Sequence, residues 1–308
     1  MAITSQMVKI LRDKTNAGMM DCKKALAECE GDIERAIDWL RQKGLVSARK
    51  RAGRATKEGL VLAAESPDGQ RGALVELNTE TDFVAKMDSF RELTLNLANY
   101  LVNEPNTPKD VAELLTRQCP KCGQAFGEVI SATAGTTGEN TKLRRFVVFT
   151  AQTGLVHAYI HMNGRLGVLV NLKVAKTGPA ALELAHNLAL HIAAANPLAI
   201  DTQSVPSAVL EREKAVYQAK AEEEAEAKIQ KNPGKPLDKA TLVGKIVEGQ
   251  IKKFYAEAVL LEQPFVKEPA KTVAQILKAA TGEVGQAEVA QFARFQLGEE
   301  LEGEKTED

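Results

Sequence analysis

The chain has 308 residues, of which 44% are hydrophobic and 26% are charged, with 40 Lys and Arg residues against 41 Asp and Glu residues. This composition predicts a globular protein of two or three folding units. The formal net charge of -1 gives no global attraction to nucleic acid or to an anionic membrane. No apolar run is long enough to span a bilayer, and the first ten residues lack a secretory pattern. Four cysteines in a chain of this length fit a reducing compartment, so we expect a cytoplasmic protein.

The first 44 residues carry the apolar spacing of three short helices. We expect Asn16-Ala17-Gly18 to end the first helix, Gly31 the second and Gly44 the third. Cys22 and Cys29 fall among the apolar positions, and we interpret them as small core residues. A bundle of this size has too few residues to enclose a substrate pocket, which favours a docking module.

The stretch from Arg41 to Lys57 is basic and contains no acid, whereas the tail from Glu299 to Asp308 is mainly acidic. One interpretation of the basic stretch is an RNA-binding or ribosome-binding role. Because it contains no aromatic residue that could stack on bases, we favour a solvated linker.

From Gly59 onward the apolar period changes to two. Leu60–Glu65 and Arg71–Leu77 flank the turn sequence Ser66-Pro67-Asp68-Gly69, which predicts a β-hairpin. A helix capped by Asp88 is expected to follow the hairpin.

The order of sheet and helix recurs downstream. Segments 143–151, 155–162 and 166–174 are typical of strands, and Asn163-Gly164 indicates a tight hairpin between the last two. A helix from Gly178 to Asn196 follows. Two sheet-plus-helix subdomains are the economical interpretation.

Between Pro206 and Pro264 the chain has helical propensity but few residues to bury. One helix is predicted over 210–231 and a second from Asp238 to about Ala258. We expect the two helices to project as an antiparallel arm. A helical pair packed flat on the body is the alternative.

No motif indicates catalysis or a bound cofactor. The phosphate-binding glycine motifs are absent from the sequence, so direct nucleotide binding is not expected. His157 and His161 would lie about 13 Å apart along a strand, too far for one metal ion. His186 and His191 would point in different directions from one helix. An enzyme with an unrecognised site is the alternative, and a pocket with convergent titratable groups would favour it.

Cys119-Pro120-Lys121-Cys122-Gly123 resembles half of a tetrahedral zinc site. No second Cys-x-x-Cys supplies the other half. We therefore favour a flexible loop without metal, and a zinc site remains the alternative.

Several segments resemble the bacterial elongation factor Ts family. Leu11–Leu26 (LRDKTNAGMMDCKKAL) resembles the family's opening motif, and Thr81–Lys86 (TDFVAK) resembles its second motif. Further matches, in family order, are found at 138–140, 143–145, 164–170, 191–194 and 263–266. The turn at Cys119 departs from the family pattern.

The resemblance implies an α+β fold. Its parts are an N-terminal three-helix bundle of the ubiquitin-associated (UBA-like) type, a core of two α/β subdomains with antiparallel sheets, and an inserted antiparallel helical hairpin. The implied boundaries are 1–55 for the UBA-like domain with its basic linker, 56–141 for the core N-subdomain, 142–205 for the first part of the core C-subdomain, 206–264 for the arm, 265–298 for the return segment of the C-subdomain, and 299–308 for the acidic tail.

The resemblance also implies a function. The chain would be a guanine-nucleotide exchange factor, not an enzyme, that binds elongation factor Tu with GDP, dislodges Mg²⁺ and promotes GDP release. Mg²⁺ dislocation would fall on Thr81, Asp82, Phe83 and Val84. Partner contacts would come from Leu11, Arg12, Thr15, Ala17, Gly18, Met19 and Met20 in the N-terminal module, and from His161, Asn163, Gly164, Arg165 and Gly167 in the C-subdomain. No cofactor, membrane or nucleic-acid partner is expected, and a homodimer or a 2:2 complex is left open.

Phe83 has two opposed interpretations. A Phe placed just before a helix usually packs onto that helix as a staple. The resemblance instead requires an exposed ring, which is energetically wasteful unless a partner pocket receives it.

Overall fold

The computed structural model describes residues 3–15, 17–51, 53–231 and 238–301, with the backbone alone for 45–50 and 231. Its helices are α1 (Ser5–Thr15), α2 (Met19–Glu28), α3 (Ile33–Arg51), α4 (Asp82–Ala85), α5 (Asp88–Asn103), α6 (Val111–Thr116), α7 (Phe126–Thr137), α8 (Pro179–Ala195), α9 (Ser207–Lys231), α10 (Lys239–Ala258), α11 (Val273–Ala279) and α12 (Thr281–Val284). Its strands are β1 (Glu58–Glu65), β2 (Arg71–Thr79), β3 (Thr141–Thr150), β4 (Leu155–His161), β5 (Leu166–Val174), β6 (Pro264–Phe265), β7 (Glu268–Thr272) and β8 (Ala287–Gln296). The mixture of helices and small sheets confirms the predicted α+β class.

The described chain divides into two compact units. The first takes in the residues up to Thr150, the segment Ala158–Leu169 and the chain from Phe295 onward. The second comprises Ala151–His157 and Val170–Arg294. The finer division into six segments stays a prediction.

Helices α1 to α3 form the N-terminal bundle of the first unit. Its core contains Leu11, Leu26, Cys22 and Cys29, all buried. The prediction that the two cysteines are small core residues is therefore confirmed.

The prediction that the third helix ends at Gly44 is wrong, since α3 continues to Arg51. The reason is tertiary: α3 packs against α7, and a Cβ on Gly135 would lie only 3.1 Å from the Cα of Gly44. Arg41 also pairs with Glu128 on α7. These contacts offset the roughly 1 kcal/mol by which glycine disfavours a helix. Much of the expected solvated linker is thus helix.

The first sheet has the strand order β1-β2-β3 and is antiparallel. The amide of Gly69 donates to the carbonyl of Ser66 at 2.9 Å, which closes the β1–β2 hairpin and confirms the predicted turn. Phe90 of α5 and Phe126 of α7 are fully buried in the core beside this sheet. The predicted cap of α5 is wrong: Met87 holds the N-cap position, and Asp88 is the first helical residue.

The segment Cys119–Gly123, here called the cysteine turn, is a closed turn and not the flexible loop that the sequence suggested. The amide of Cys119 donates to the carbonyl of Gln124 at 2.7 Å, and the amide of Gly123 donates to the carbonyl of Cys119 at 2.8 Å. Gly123 has a φ of 67°, a conformation that glycine adopts at little cost. Cys119 is buried in the core, whereas Cys122 is exposed.

A second sheet has the strand order β4-β5-β8, and β6 pairs with β7. The strands β3, β4 and β5 confirm the three strand-like segments of the sequence. Helix α8 lies between its N-cap Gly178 and its C-cap Asn196, which confirms the predicted bounds.

Helices α9 and α10 form the arm and pack against each other. Within the described residues, α9 buries Ala221 and Ala225, and α10 buries none. At the base of the arm, Leu210 and Phe254 pack on a small apolar cluster around Val259. So little burial favours the projecting arm over a pair packed flat on the body.

Candidate partner-binding segments

The segment Thr81–Val84, here called the Phe83 segment, leads from β2 into α4. Thr81 is the N-cap of α4, and its Oγ1 accepts a hydrogen bond from the amide of Val84 at 3.4 Å. Val84 points inward and is buried, whereas Phe83 is 80% exposed. The staple interpretation of Phe83 is therefore wrong, because a helix of one turn sends adjacent side chains in different directions and Val84 takes the inward position.

Asp82 sits beside Phe83 and is partly exposed. Lys86 donates from Nζ to Oδ2 of Asp82 at 2.5 Å. This hydrogen bond lowers the pKa of Asp82 below its ordinary value. The Phe83 segment thus presents an apolar ring next to a carboxylate that is ionised at neutral pH.

The Phe83 segment is tied to the turn between α7 and β3. Glu139 accepts hydrogen bonds from Oγ1 of Thr79 and from the amide of Thr81, both at 2.9 Å, and from Oγ1 of Thr81 at 2.6 Å. In return, Glu80 accepts from the amide of Asn140 at 2.6 Å. Glu139 and Glu80 had no predicted site role. The match at 138–140 contains Glu139 and could have pointed to it, whereas Glu80 directly precedes the Thr81–Lys86 motif.

The N-terminal bundle presents a second apolar surface. Met19 and Met20, at the start of α2, are 59% and 75% exposed. Arg12 and Gly18 are also exposed, and Thr15 and Ala17 are partly so. Leu11, also a predicted contact residue, is fully buried. It supports this surface from within the core of the bundle.

The turn from His161 to Arg165, here called the β4–β5 turn, is a third exposed segment. Met162, Asn163 and Gly164 have successive positive φ values of 50°, 55° and 96°. A Cβ on Gly164 would lie 2.9 Å from a methyl carbon of Leu60. The turn therefore has a backbone that is costly for residues other than glycine.

Of the predicted contact residues in this region, His161, Asn163 and Arg165 are exposed, whereas Gly164 and Gly167 are buried. Met162 was not predicted, although it is 64% exposed. Its position inside a tight turn was the signal that could have found it, because turns carry their side chains into solvent.

Most basic side chains of this stretch that the structure describes make contacts inside the first unit. Arg41 pairs with Glu128, Lys43 lies 3.1 Å from Asp21, and the guanidinium of Arg51 donates to a backbone carbonyl of α7. These pairings weaken the RNA-binding interpretation, since a cation that is already paired has less to gain from a phosphate.

A cleft of about 330 Å³ lies between the N-terminal bundle and α7. Its charged lining includes Lys14, Asp21, Arg41 and Lys43, and all four are in ion pairs. Asp21 is the one acid among the described residues that line the cleft, and it is paired with Lys43, so the described lining shows no free acid beside a base.

In the part of the chain that the structure describes, no three His, Cys, Asp or Glu side chains converge as a metal site requires. No described helix combines the length and the hydropathy needed to cross a bilayer. His157 and His186 do meet, with 3.1 Å between Nε2 and Nδ1, a pair that the sequence did not predict.

Over its described residues, the chain is a mixed helix-and-sheet protein in which the three segments above are exposed. The family model described as "Elongation factor TS" matches residues 80–299. The elongation factor Ts of Desulfovibrio desulfuricans is 44% identical over 306 residues, covering 97% of this chain and 99% of that protein. Those of Nitratidesulfovibrio vulgaris strain DP4 and Trichlorobacter lovleyi are 43% and 41% identical, covering 99% and 100% of this chain and 99% and 96% of theirs. The chain belongs to the elongation factor Ts family, a family of protein biosynthesis.

Proposed function

We propose that the chain is a guanine-nucleotide exchange factor that acts on elongation factor Tu with bound GDP. The Phe83 segment inserts beside the Mg²⁺ and phosphate region of this GTPase, the ion is displaced, and GDP leaves. The factor makes no covalent bond to its partner. The observation that carries the proposal is the exposed ring of Phe83, held on a one-turn helix in a chain of this family.

The energetics require more than Phe83. A nucleotide that binds with nanomolar affinity is held by roughly 12 kcal/mol, and burying one Phe side chain supplies only about 1.5 to 3 kcal/mol. By linkage, the factor weakens nucleotide binding by the same ratio by which the nucleotide weakens binding of the factor. Phe83 can therefore open the nucleotide site, but other contacts must stabilise the nucleotide-free GTPase.

We assign those contacts to the two remaining exposed segments. Met19 and Met20 offer apolar surface on the N-terminal bundle, and Met162 with His161 does so on the β4–β5 turn. Methionine is well suited to such surfaces because its flexible side chain adapts to the shape of a partner. In this division of roles, the Phe83 segment sets the rate of release and the other segments set the affinity.

The test follows the release of labelled GDP from elongation factor Tu with and without the chain, using wild type and Phe83→Ala. We expect wild type to accelerate release and Phe83→Ala to lower the stimulated rate by about ten-fold or more, because each 1.4 kcal/mol of lost differential binding is a factor of ten. The melting temperature of Phe83→Ala should stay close to that of wild type, since a core Phe would instead cost about 3 to 5 kcal/mol.

Leu182→Ala is the matched control, because Leu182 is another exposed apolar residue, 48% accessible, on α8 of the second unit. This variant should stimulate GDP release from elongation factor Tu at the wild-type rate. The proposal fails if wild type does not stimulate release. It also fails if Phe83→Ala is strongly destabilised while each folded molecule still exchanges normally.

A further inference from the structure

The exposed Phe83 sits on a helix that cannot hold itself in place. Helix α4 is four residues long, and an isolated helix of one turn is unstable in water. The orientation of Phe83 must therefore come from tertiary contacts. The burial of Val84 is one such contact, and the hydrogen bonds to Glu139 are another.

Glu139 holds the start of the Phe83 segment through a continuous chain of hydrogen bonds. The amide of Val84 donates to Oγ1 of Thr81, and that hydroxyl donates to Oε1 of Glu139 at 2.6 Å. The other carboxylate oxygen accepts the amide of Thr81 and the hydroxyl of Thr79. One carboxylate thus fixes the end of β2, the N-cap of α4 and the orientation of the capping hydroxyl.

The contact is reinforced from the opposite side. Glu80, between the two threonines, accepts the amide of Asn140 at 2.6 Å and a guanidinium NH of Arg54 at 3.4 Å. The side-chain amide of Asn140 donates to the carbonyl of Arg54 at 2.8 Å. The segments at 79–82 and 138–140 therefore bind each other reciprocally, each through a carboxylate that accepts a backbone amide of the other.

We propose that Glu139 is a positioning residue for the exchange reaction, which sets the maximal rate of nucleotide release by fixing the Phe83 segment in its inserting conformation. This inference rests on the proposed function. Glu139 does not touch the partner in this role and acts through Thr79 and Thr81. The Thr81 amide and the two threonine hydroxyls donate to Glu139, and a carboxylate accepts all three at once, whereas Gln has one acceptor oxygen and must turn its NH₂ group toward one of them.

The test uses Glu139→Gln, which keeps the shape but replaces one acceptor oxygen by an NH₂ group. Glu92→Gln is the matched control, because Glu92 is an exposed carboxylate of the same unit that pairs with Lys121. In the isolated full-length chain, amide hydrogen exchange at Thr81 should become about ten-fold faster in Glu139→Gln and stay unchanged in Glu92→Gln. The amides inside β2 should remain protected in both variants, which shows that the fold is intact.

The functional readout separates rate from affinity. Glu139→Gln should lower the maximal stimulated rate of GDP release from elongation factor Tu by about five- to ten-fold, with a half-saturating concentration within about two-fold of wild type. In the Phe83→Ala background the same substitution should have no further effect on the maximal rate, because the side chain that Glu139 positions is gone. A purely structural role would lower the rate equally in both backgrounds.

The outcomes are distinguishable. If wild type stimulates release and Glu139→Gln matches it, the positioning role is overturned while the proposed function stands. Additive effects of Glu139→Gln and Phe83→Ala would overturn it as well. If wild type does not stimulate release, the proposed function fails and the role in exchange fails with it, whereas the Thr81 exchange measurement still reports whether Glu139 orders the segment.

Discussion

Replacing Glu76 by Gln removes a negative charge from a side chain with no exposed surface. Arg145 donates to its carboxylate from Nε at 2.7 Å, Arg144 donates from Nη1 at 3.2 Å, and the amide of Gly298 donates at 3.1 Å. The two arginine side chains are only 16% and 11% exposed. The substitution therefore leaves two poorly solvated cations with less compensating charge.

The cost can be bounded from these contacts. Removing one partner of a buried ion pair costs about 3 to 5 kcal/mol. Gln keeps the shape and one acceptor oxygen, and Arg145 retains Glu299 at 2.6 Å. We therefore expect a loss of about 3 kcal/mol, which lowers the melting temperature by roughly 6 to 12 °C in a protein of this size.

Thermal and urea unfolding of Glu76→Gln measure the loss directly. The matched control is Glu299→Gln, whose carboxylate pairs with the same Arg145 but is 29% exposed. The control should cost about 1 kcal/mol, as is typical of ion pairs near the surface. A Glu76→Gln melting temperature within about 2 °C of wild type would show that the two arginines do not need the Glu76 carboxylate.

A triple variant identifies the origin of the loss. Replacing Glu76, Arg144 and Arg145 together by Leu, Met and Leu removes the charges as well as the pairing. If the uncompensated cations are what destabilises Glu76→Gln, the triple variant should recover much of the loss. A triple variant as unstable as the single one would assign the loss to packing.

Four further predictions concern separate parts of the chain. Gly135→Ala should destabilise the protein, because the new Cβ meets the Gly44 backbone at 3.1 Å, whereas Gly44→Ala meets nothing within 4 Å and should be neutral or stabilising in thermal unfolding. Replacing residues 212–252 of the arm by a short flexible linker should leave the unfolding of the remainder cooperative by calorimetry, and loss of folding would show that the arm belongs to the core. Burial lowers the pKa of His191 below its ordinary value. Below about pH 6.5 the imidazole of His191 binds a proton in the unfolded chain but stays neutral in the folded one. The free energy of unfolding should therefore fall by at most about 1.4 kcal/mol per pH unit below that pH, and by less in His191→Gln. Metal analysis of the purified protein should find no stoichiometric zinc at the cysteine turn, and one tightly held equivalent would contradict this prediction.

Local patterns predicted most of the secondary structure. The β1–β2 hairpin, the strands β3, β4 and β5 and the helix α8 follow from apolar period and from turn or cap residues that lie within a few positions of one another. The predicted end of α3 at Gly44 was wrong because the decisive contact, between Gly44 and Gly135, joins positions far apart in sequence. Glycine was taken as a helix end, whereas here it permits a close approach of two helices.

The candidate site was less accessible to sequence reasoning. The local pattern around Phe83 favoured a buried staple, and only the family resemblance predicted its exposure. Glu139 binds the Phe83 segment across 58 residues, and His157 meets His186 across 29 residues. No periodicity carries information about such pairs, because tertiary folding alone brings the elements that hold them together.

The Phe83 segment must be ordered before the partner arrives, and the reciprocal contacts around Thr81 provide that order. Fixing the backbone of one flexible residue costs about 1 to 2 kcal/mol. Ordering the six residues from Thr79 to Val84 on binding would therefore cost on the order of 6 to 12 kcal/mol. That is more than the roughly 1.5 to 3 kcal/mol that burial of one Phe returns. In the proposed mechanism Phe83 can assist nucleotide release only if folding has already met this cost, and the hydrogen bonds that Glu139 and Glu80 accept supply the order.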